Sequence, residues 1–182
     1  MPYGIRMSQI KPIDVLRAIY KGKVDLLIQY ADIGINFHEV TEVEQWNYLH
    51  RATLSVSPTM KINIPSLKFL IGQGLDVDGK DCYGNTPLQY AARVKNVDAI
   101  NILIDAGANI NTLNNEMITP LQHAFHSKPF IYEAVEALLL NGADPDHHLP
   151  SGESSIRLFV CEICNDQDRA IKELFEQIQA LK

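Results

Sequence analysis

Few residues in this chain have the types and spacing for chemistry. Cys161 and Cys164 form a C-x-x-C pair, the spacing of redox dithiols and of half a zinc site. Zinc takes four ligands. The nearest further donors, His147 and His148, lack finger-like spacing, and there is no second C-x-x-C. A metal- or redox-responsive regulator built on Cys161 and Cys164 is one reading; two thiols on a terminal helix are the other. Asp144-Pro145-Asp146-His147-His148 gathers two carboxylates and two imidazoles. The sequence contains no Gly-x-Ser-x-Gly, no His-Glu-x-x-His and no Gly-rich loop able to cradle a phosphate. We therefore expect no catalytic residue, no enzyme activity and no cofactor.

What these groups can do depends on the elements that hold them, and those elements repeat. Thr86-Pro87-Leu88 returns as Thr119-Pro120-Leu121, 33 residues later, and Gly74 and Gly107 share that spacing. Within the central unit, Thr86 is placed to cap a helix and Pro87 to occupy its first turn, where a missing N–H forfeits nothing. Leu88, Ala91 and Ala92 give a narrow apolar face for close packing. Asn96 can cap a second helix, Ile100, Leu103 and Ile104 form its buried stripe, and Gly107 supplies a left-handed stop. A period of 33 with a Thr-Pro-Leu-x-x-Ala core resembles the ankyrin-repeat family, most strongly over residues 81–111.

That resemblance implies an all-α fold: an ankyrin-repeat solenoid of stacked helix-turn-helix units with finger turns. It also implies a single domain over residues 1–182, with repeats near 12–38, 39–80, 81–113, 114–148 and 149–182. The first and last units lack Thr-Pro-Leu, as expected of polar end caps. In the second, Leu49-His50-Arg51-Ala52 keeps the family's Leu-His-x-Ala, whereas Asn47-Tyr48 replaces Thr-Pro. Insertions between helices, at 55–65 and 125–132, are expected to form a ridge on the convex side. Met117 stands where the third unit has Gly84, so a different finger turn is expected in the fourth. In this register Asp144 and Asp146 become turn residues, and Ser151-Gly152-Glu153 a finger turn. His50 should hydrogen-bond backbone between fingers, with Gln89 and Gln122 doing similar work.

Family binding residues lie on finger turns and on exposed positions of first helices. Carried onto this chain, the candidates are Glu44, Trp46 and Arg51; Tyr83, Asn85 and Arg93; Glu116, Ile118, His123 and His126; and Glu153. Trp46, the only Trp, and Tyr83 are the expected anchors, because aromatic side chains dominate interface hot spots; for Trp46 the alternative is packing against the next finger.

A net charge of −6 lacks the basic footprint of a nucleic-acid binder and suits a basic protein partner. No apolar stretch approaches a membrane span, no signal-peptide core precedes the repeats, and three cysteines make no disulfide framework. We expect a cytoplasmic, non-enzymatic interaction module, monomeric when free, and more specifically an inhibitor or immunity-type protein that occludes one cognate toxin or enzyme. A scaffold or adaptor subunit of a larger complex is the rival reading.

Overall fold

The computed structural model describes residues 10–54, 61–148, 155–163 and 168–180. Among them are ten helices arranged as five consecutive pairs. These are α1 (Pro12–Tyr20) with α2 (Val24–Asp32), α3 (Tyr48–Thr53) with α4 (Ile64–Gly72) and α5 (Pro87–Arg93) with α6 (Val97–Asp105). They continue as α7 (Pro120–Ala124) with α8 (Tyr132–Leu140), and α9 (Ile156–Ile163) with α10 (Arg169–Ala180). The all-α ankyrin solenoid is the observed architecture.

Local chemistry explains the helix ends. Asn47, Thr86 and Thr119 accept from the backbone N–H three residues on, opening α3, α5 and α7. Asn63 and Asn96 cap α4 and α6 in the same way, each satisfying a donor the helix leaves orphaned. Gly22, Gly34, Gly74, Gly107 and Gly142 all hold positive φ just beyond a helix.

Packing is between neighbours. α5 meets its own partner α6 and the first helices α3 and α7 on either side, while α4, α6, α8 and α10 follow one another in a second layer. The seam between layers is one continuous core. Leu27, Leu49, Leu67, Leu88, Leu103, Leu121 and Leu138 are wholly buried along it, each worth roughly 1.5–3 kcal/mol relative to exposure. A short helix such as α7, five residues long, would not persist without that seam.

The second insertion differs from the ridge expected of it. Phe130 packs on Phe125 and Phe159, which lie 4.9 and 6.3 Å away between ring centroids. Lys128 pairs with Asp168 at 3.0 Å, and Ser127 accepts from the Lys95 ammonium. This insertion therefore clamps the last helix pair onto the fourth. It does so because its aromatic residues have a partner ring in α9. Of the first insertion, residues 55–60 lie outside the described residues; Pro65 sits in the first turn of α4, where its missing N–H forfeits no hydrogen bond.

Candidate partner-binding surface

Three fingers precede α3, α5 and α7, and one chemical device shapes them. Each is closed by a backbone bond from its first residue: Thr41 to the Trp46 carbonyl at 3.0 Å, Asp81 to Asn85 at 3.0 Å and Asn114 to Ile118 at 3.2 Å. In each, the side-chain oxygen of that first residue also accepts N–H groups of the turn. Thr41 takes Trp46, Asp81 takes Tyr83 and Asn85, and Asn114 takes Glu116 and Ile118. Such side chains replace part of a backbone turn.

The turn also needs one residue at positive φ. Gly84 supplies it in the third finger at +76°, Met117 in the fourth at +60° and Gln45 in the second at +57°. The fourth finger is thus not a different turn: Met117 adopts the glycine conformation, held there by the Asn114 staple. Gly84 has a further reason to be glycine. A Cβ added there would lie 2.8 Å from the backbone nitrogen of Asn115. Gly84→Ala should therefore lower stability by about 2 kcal/mol or more, combining left-handed strain with the clash. A chemical denaturation midpoint equal to wild type would refute this.

Neighbouring fingers are stitched together. Cys82 N–H donates to the Glu44 carbonyl at 2.9 Å, and Asn115 N–H donates to Tyr83 at 3.0 Å. Beneath them, His50 Nε2 reaches the Asn85 carbonyl at 3.1 Å. Asn47 N–H points to His50 Nδ1 at 3.2 Å, and a backbone N–H can only donate, so Nε2 carries the proton of a neutral ring. Burial holds the His50 pKa below its ordinary value, consistent with that state. Gln89 Nε2 donates to Ile118 O at 2.7 Å and Gln122 Nε2 to His147 O at 3.5 Å. The expected role of this position holds in all three units.

On this frame the candidate residues separate. Tyr83 is 63% exposed at its fingertip, flanked by Val43 at 79% and Met117 at 52%. Sequence reasoning named Tyr83 and did not treat Met117 as an anchor. The signal available was its position: a left-handed turn tip leaves a large side chain nothing to pack against. Arg93, Glu116 and His126 are exposed, and Glu44, Arg51 and Ile118 are half-buried.

Trp46 is half-buried and anchored: its Nε1 donates to Asp81 Oδ2 at 3.1 Å, and the Arg51 guanidinium lies 4.3 Å over its ring. It therefore packs against the next finger, yet it also lines a shallow groove of about 190 Å³ with Leu16, Val40 and Tyr48. One candidate is corrected: Asn85 is buried, its Oδ1 occupied by Asn114 Nδ2 at 2.9 Å. His123 is largely buried, at 8% exposure, and meets the surface only as part of the wall of the groove between the third and fourth fingers. Glu153 lies outside the described residues.

Of the C-x-x-C pair, Cys161 is exposed on α9 and Cys164 lies outside the described residues. Asp144 and Asp146 are turn residues as expected, Asp144 Oδ1 accepting from Asp146 N–H, while Asp146 pairs with Arg157 at 2.6 Å.

Paired helices joined to stapled fingers, stacked along one seam, define a helical repeat solenoid that presents fingertips and a layer of first helices. Residues 59–148 match the family model for ankyrin repeats in three copies, and the chain belongs to the ankyrin-repeat family. It is 35% identical over 107 residues to "Ankyrin repeat, SAM and basic leucine zipper domain-containing protein 1" of Oryctolagus cuniculus, covering 57% of this chain and 21% of that protein. It is 40% identical over 83 residues to the protein of the same name in Rhinolophus ferrumequinum, 44% of this chain and 17% of that one. An ankyrin repeat protein of fowlpox virus is 32% identical over 74 residues, 41% and 11% of the two chains. The chain thus spans about a fifth or less of the length of these relatives. Ankyrin repeats are protein–protein interaction modules.

Proposed function

We propose that the chain binds a protein partner without catalysis, through its fingertips and the concave layer of first helices. The observation that carries this is the exposed row Val43, Tyr83 and Met117, one side chain from each of three successive fingers. These side chains stand on turns whose polar groups are already satisfied, so little ordering remains to be done on binding. Exposed Glu39, Glu42 and Glu116 flank the row and favour a basic partner surface, chiefly through faster capture. Occlusion of a cognate enzyme or toxin, as an inhibitor or immunity-type protein, is the form that a rigid surface of this kind serves best. The adaptor reading loses its second surface in part, because the 125–132 insertion is engaged by the last helix pair. Among the described residues, no helix is long and apolar enough to cross a membrane.

The test is capture of the partner by the tagged chain, followed by affinity measurement with a Tyr83→Ala, Met117→Ala double variant. Affinity should fall at least ~30-fold, as expected for two interface anchors, with thermal stability unchanged because both side chains are exposed. Binding at wild-type strength by the folded double variant would remove the fingertips from the interface.

A further inference from the structure

The first helices repeat a position just after the residue that bonds to the next finger. It holds Arg51, Tyr90 and His123 in successive units, following His50, Gln89 and Gln122. In the third unit the position closes on itself: Tyr90 Oη donates to Asp81 Oδ2 at 2.5 Å. The fourth unit changes both partners. Asn114 replaces Asp81, and its side chain is fully engaged, Oδ1 with two turn N–H groups and Nδ2 with Asn85. His123 is also shorter than tyrosine. The result is a buried ring whose Nε2 has no hydrogen-bond partner among the described residues, a defect that natural interiors seldom tolerate without a use.

His123 lines a groove of about 420 Å³ between the third and fourth fingers, with Tyr83, Arg93, Asn115 and Glu116 on its walls. Arg93 is exposed, and among the described residues no ion pair or hydrogen bond of its guanidinium is found. The Arg93 guanidinium, on the wall of this groove, acts on the ring as a full positive charge, on a chain whose net charge is −6. A carboxylate accepts from both guanidinium and imidazole, and charge-assisted bonds of this kind are the strong ones. Glu116 on the rim disfavours a bare anion, whereas an aspartate or glutamate side chain can lay its carbon stem on Tyr83.

We propose that the groove between the third and fourth fingers receives a carboxylate side chain of the protein partner, with Arg93 and His123 as its donors. This rests on the fingertip reading and adds a partner signature to it: one acidic anchor within an otherwise basic surface.

The experiment follows the His123 ring by NMR in the full chain while capped glutamate, Ac-Glu-NH2, is added near pH ~6 at constant ionic strength. The expected result is a saturable shift of the His123 resonances. It should be weakened at least ~5-fold by Arg93→Gln, in line with loss of one charge-assisted bond, and absent with capped glutamine. Met117→Ala, which removes a fingertip anchor, should leave this response intact. In partner binding, Arg93→Gln should cost a similar factor or more. An equal response to capped glutamine or inorganic phosphate, or one indifferent to Arg93→Gln, means an adventitious ion only and overturns the proposal. Partner affinity that survives Arg93→Gln but is lost in the Tyr83, Met117 variant overturns the carboxylate anchor and leaves the fingertip reading standing. Glutamate binding with no partner captured overturns the fingertip reading, and with it the assignment of the carboxylate to a protein partner.

Discussion

Asp81→Ala should destabilise the protein by about 3–5 kcal/mol, as expected when a buried, multiply bonded carboxylate is removed from its donors. Asp81 is 3% exposed and accepts four donors. Oδ1 takes the backbone N–H of Tyr83 at 2.9 Å and of Asn85 at 2.8 Å. Oδ2 takes Trp46 Nε1 at 3.1 Å and Tyr90 Oη at 2.5 Å. The first pair builds the third finger; the second ties it to the second finger and to α5. Alanine leaves all four donors without this acceptor, two of them on the buried residues Asn85 and Tyr90. The fourth finger provides an internal comparison, because Asn114 does the turn-building half alone. Asp81→Asn should accordingly keep the finger and cost roughly half as much, losing the acceptor for Trp46 and Tyr90. Urea denaturation measures both losses, and emission from the single Trp46 reports the local change. An alanine variant within about 1 kcal/mol of wild type would show that this network contributes no more than an ordinary hydrogen bond.

The same residues show what a sequence of this kind reveals. The period of 33 between Thr86 and Thr119 fixes the helix starts, the capping pattern and the positions of Gln89 and Gln122. Each is a local event with a specific residue requirement, so spacing transmits it. Met117 was misread because glycine at Gly84 looked like a requirement of the turn. The turn requires positive φ, and a staple such as Asn114 can hold a larger residue there. Asn85 was misread for another reason. Its register was right, but the depth of a side chain depends on how the next finger leans over it, which spacing along one chain does not encode. The network at Asp81 was legible in part: Asp81 and Asn114 recur at the repeat period as first residues of the turns, a signature of side-chain stapling. Its link to Trp46 was not, since that bond crosses between units 35 residues apart. Trp46 shows the limit most clearly. Interface anchor and packing residue were posed as alternatives, and its ring both bonds to Asp81 and lines a groove.

Stability should fall on acidification, and His123 should account for a separable share of the loss. Burial, reinforced by the neighbouring charges of Arg93 and His126, lowers the His123 pKa to about 4, against an unfolded value near ~6.5. For a base with a depressed folded pKa, the unfolded chain takes up a proton that the folded chain refuses. Stability from this group is therefore complete above ~6.5 and declines as pH falls toward ~4, by a total of about 3 kcal/mol. His50 acts in the same direction, its pKa lowered chiefly by burial, but its ring is hydrogen-bonded on both nitrogens and cannot be replaced without breaking the finger contact. His123 can be. Because its Nε2 lacks a partner among the described residues, His123→Leu should leave stability at neutral pH unchanged or slightly higher, since exchanging an unpaired buried polar atom for carbon relieves a desolvation cost. Between pH ~6.5 and ~4 the variant should lose about 3 kcal/mol less than the wild type. The difference between the two denaturation curves across pH isolates this residue, because carboxylate and His50 contributions cancel. Parallel curves would mean that the ring accepts its proton without hindrance in the folded protein, and that its burial is looser than its 8% exposure implies.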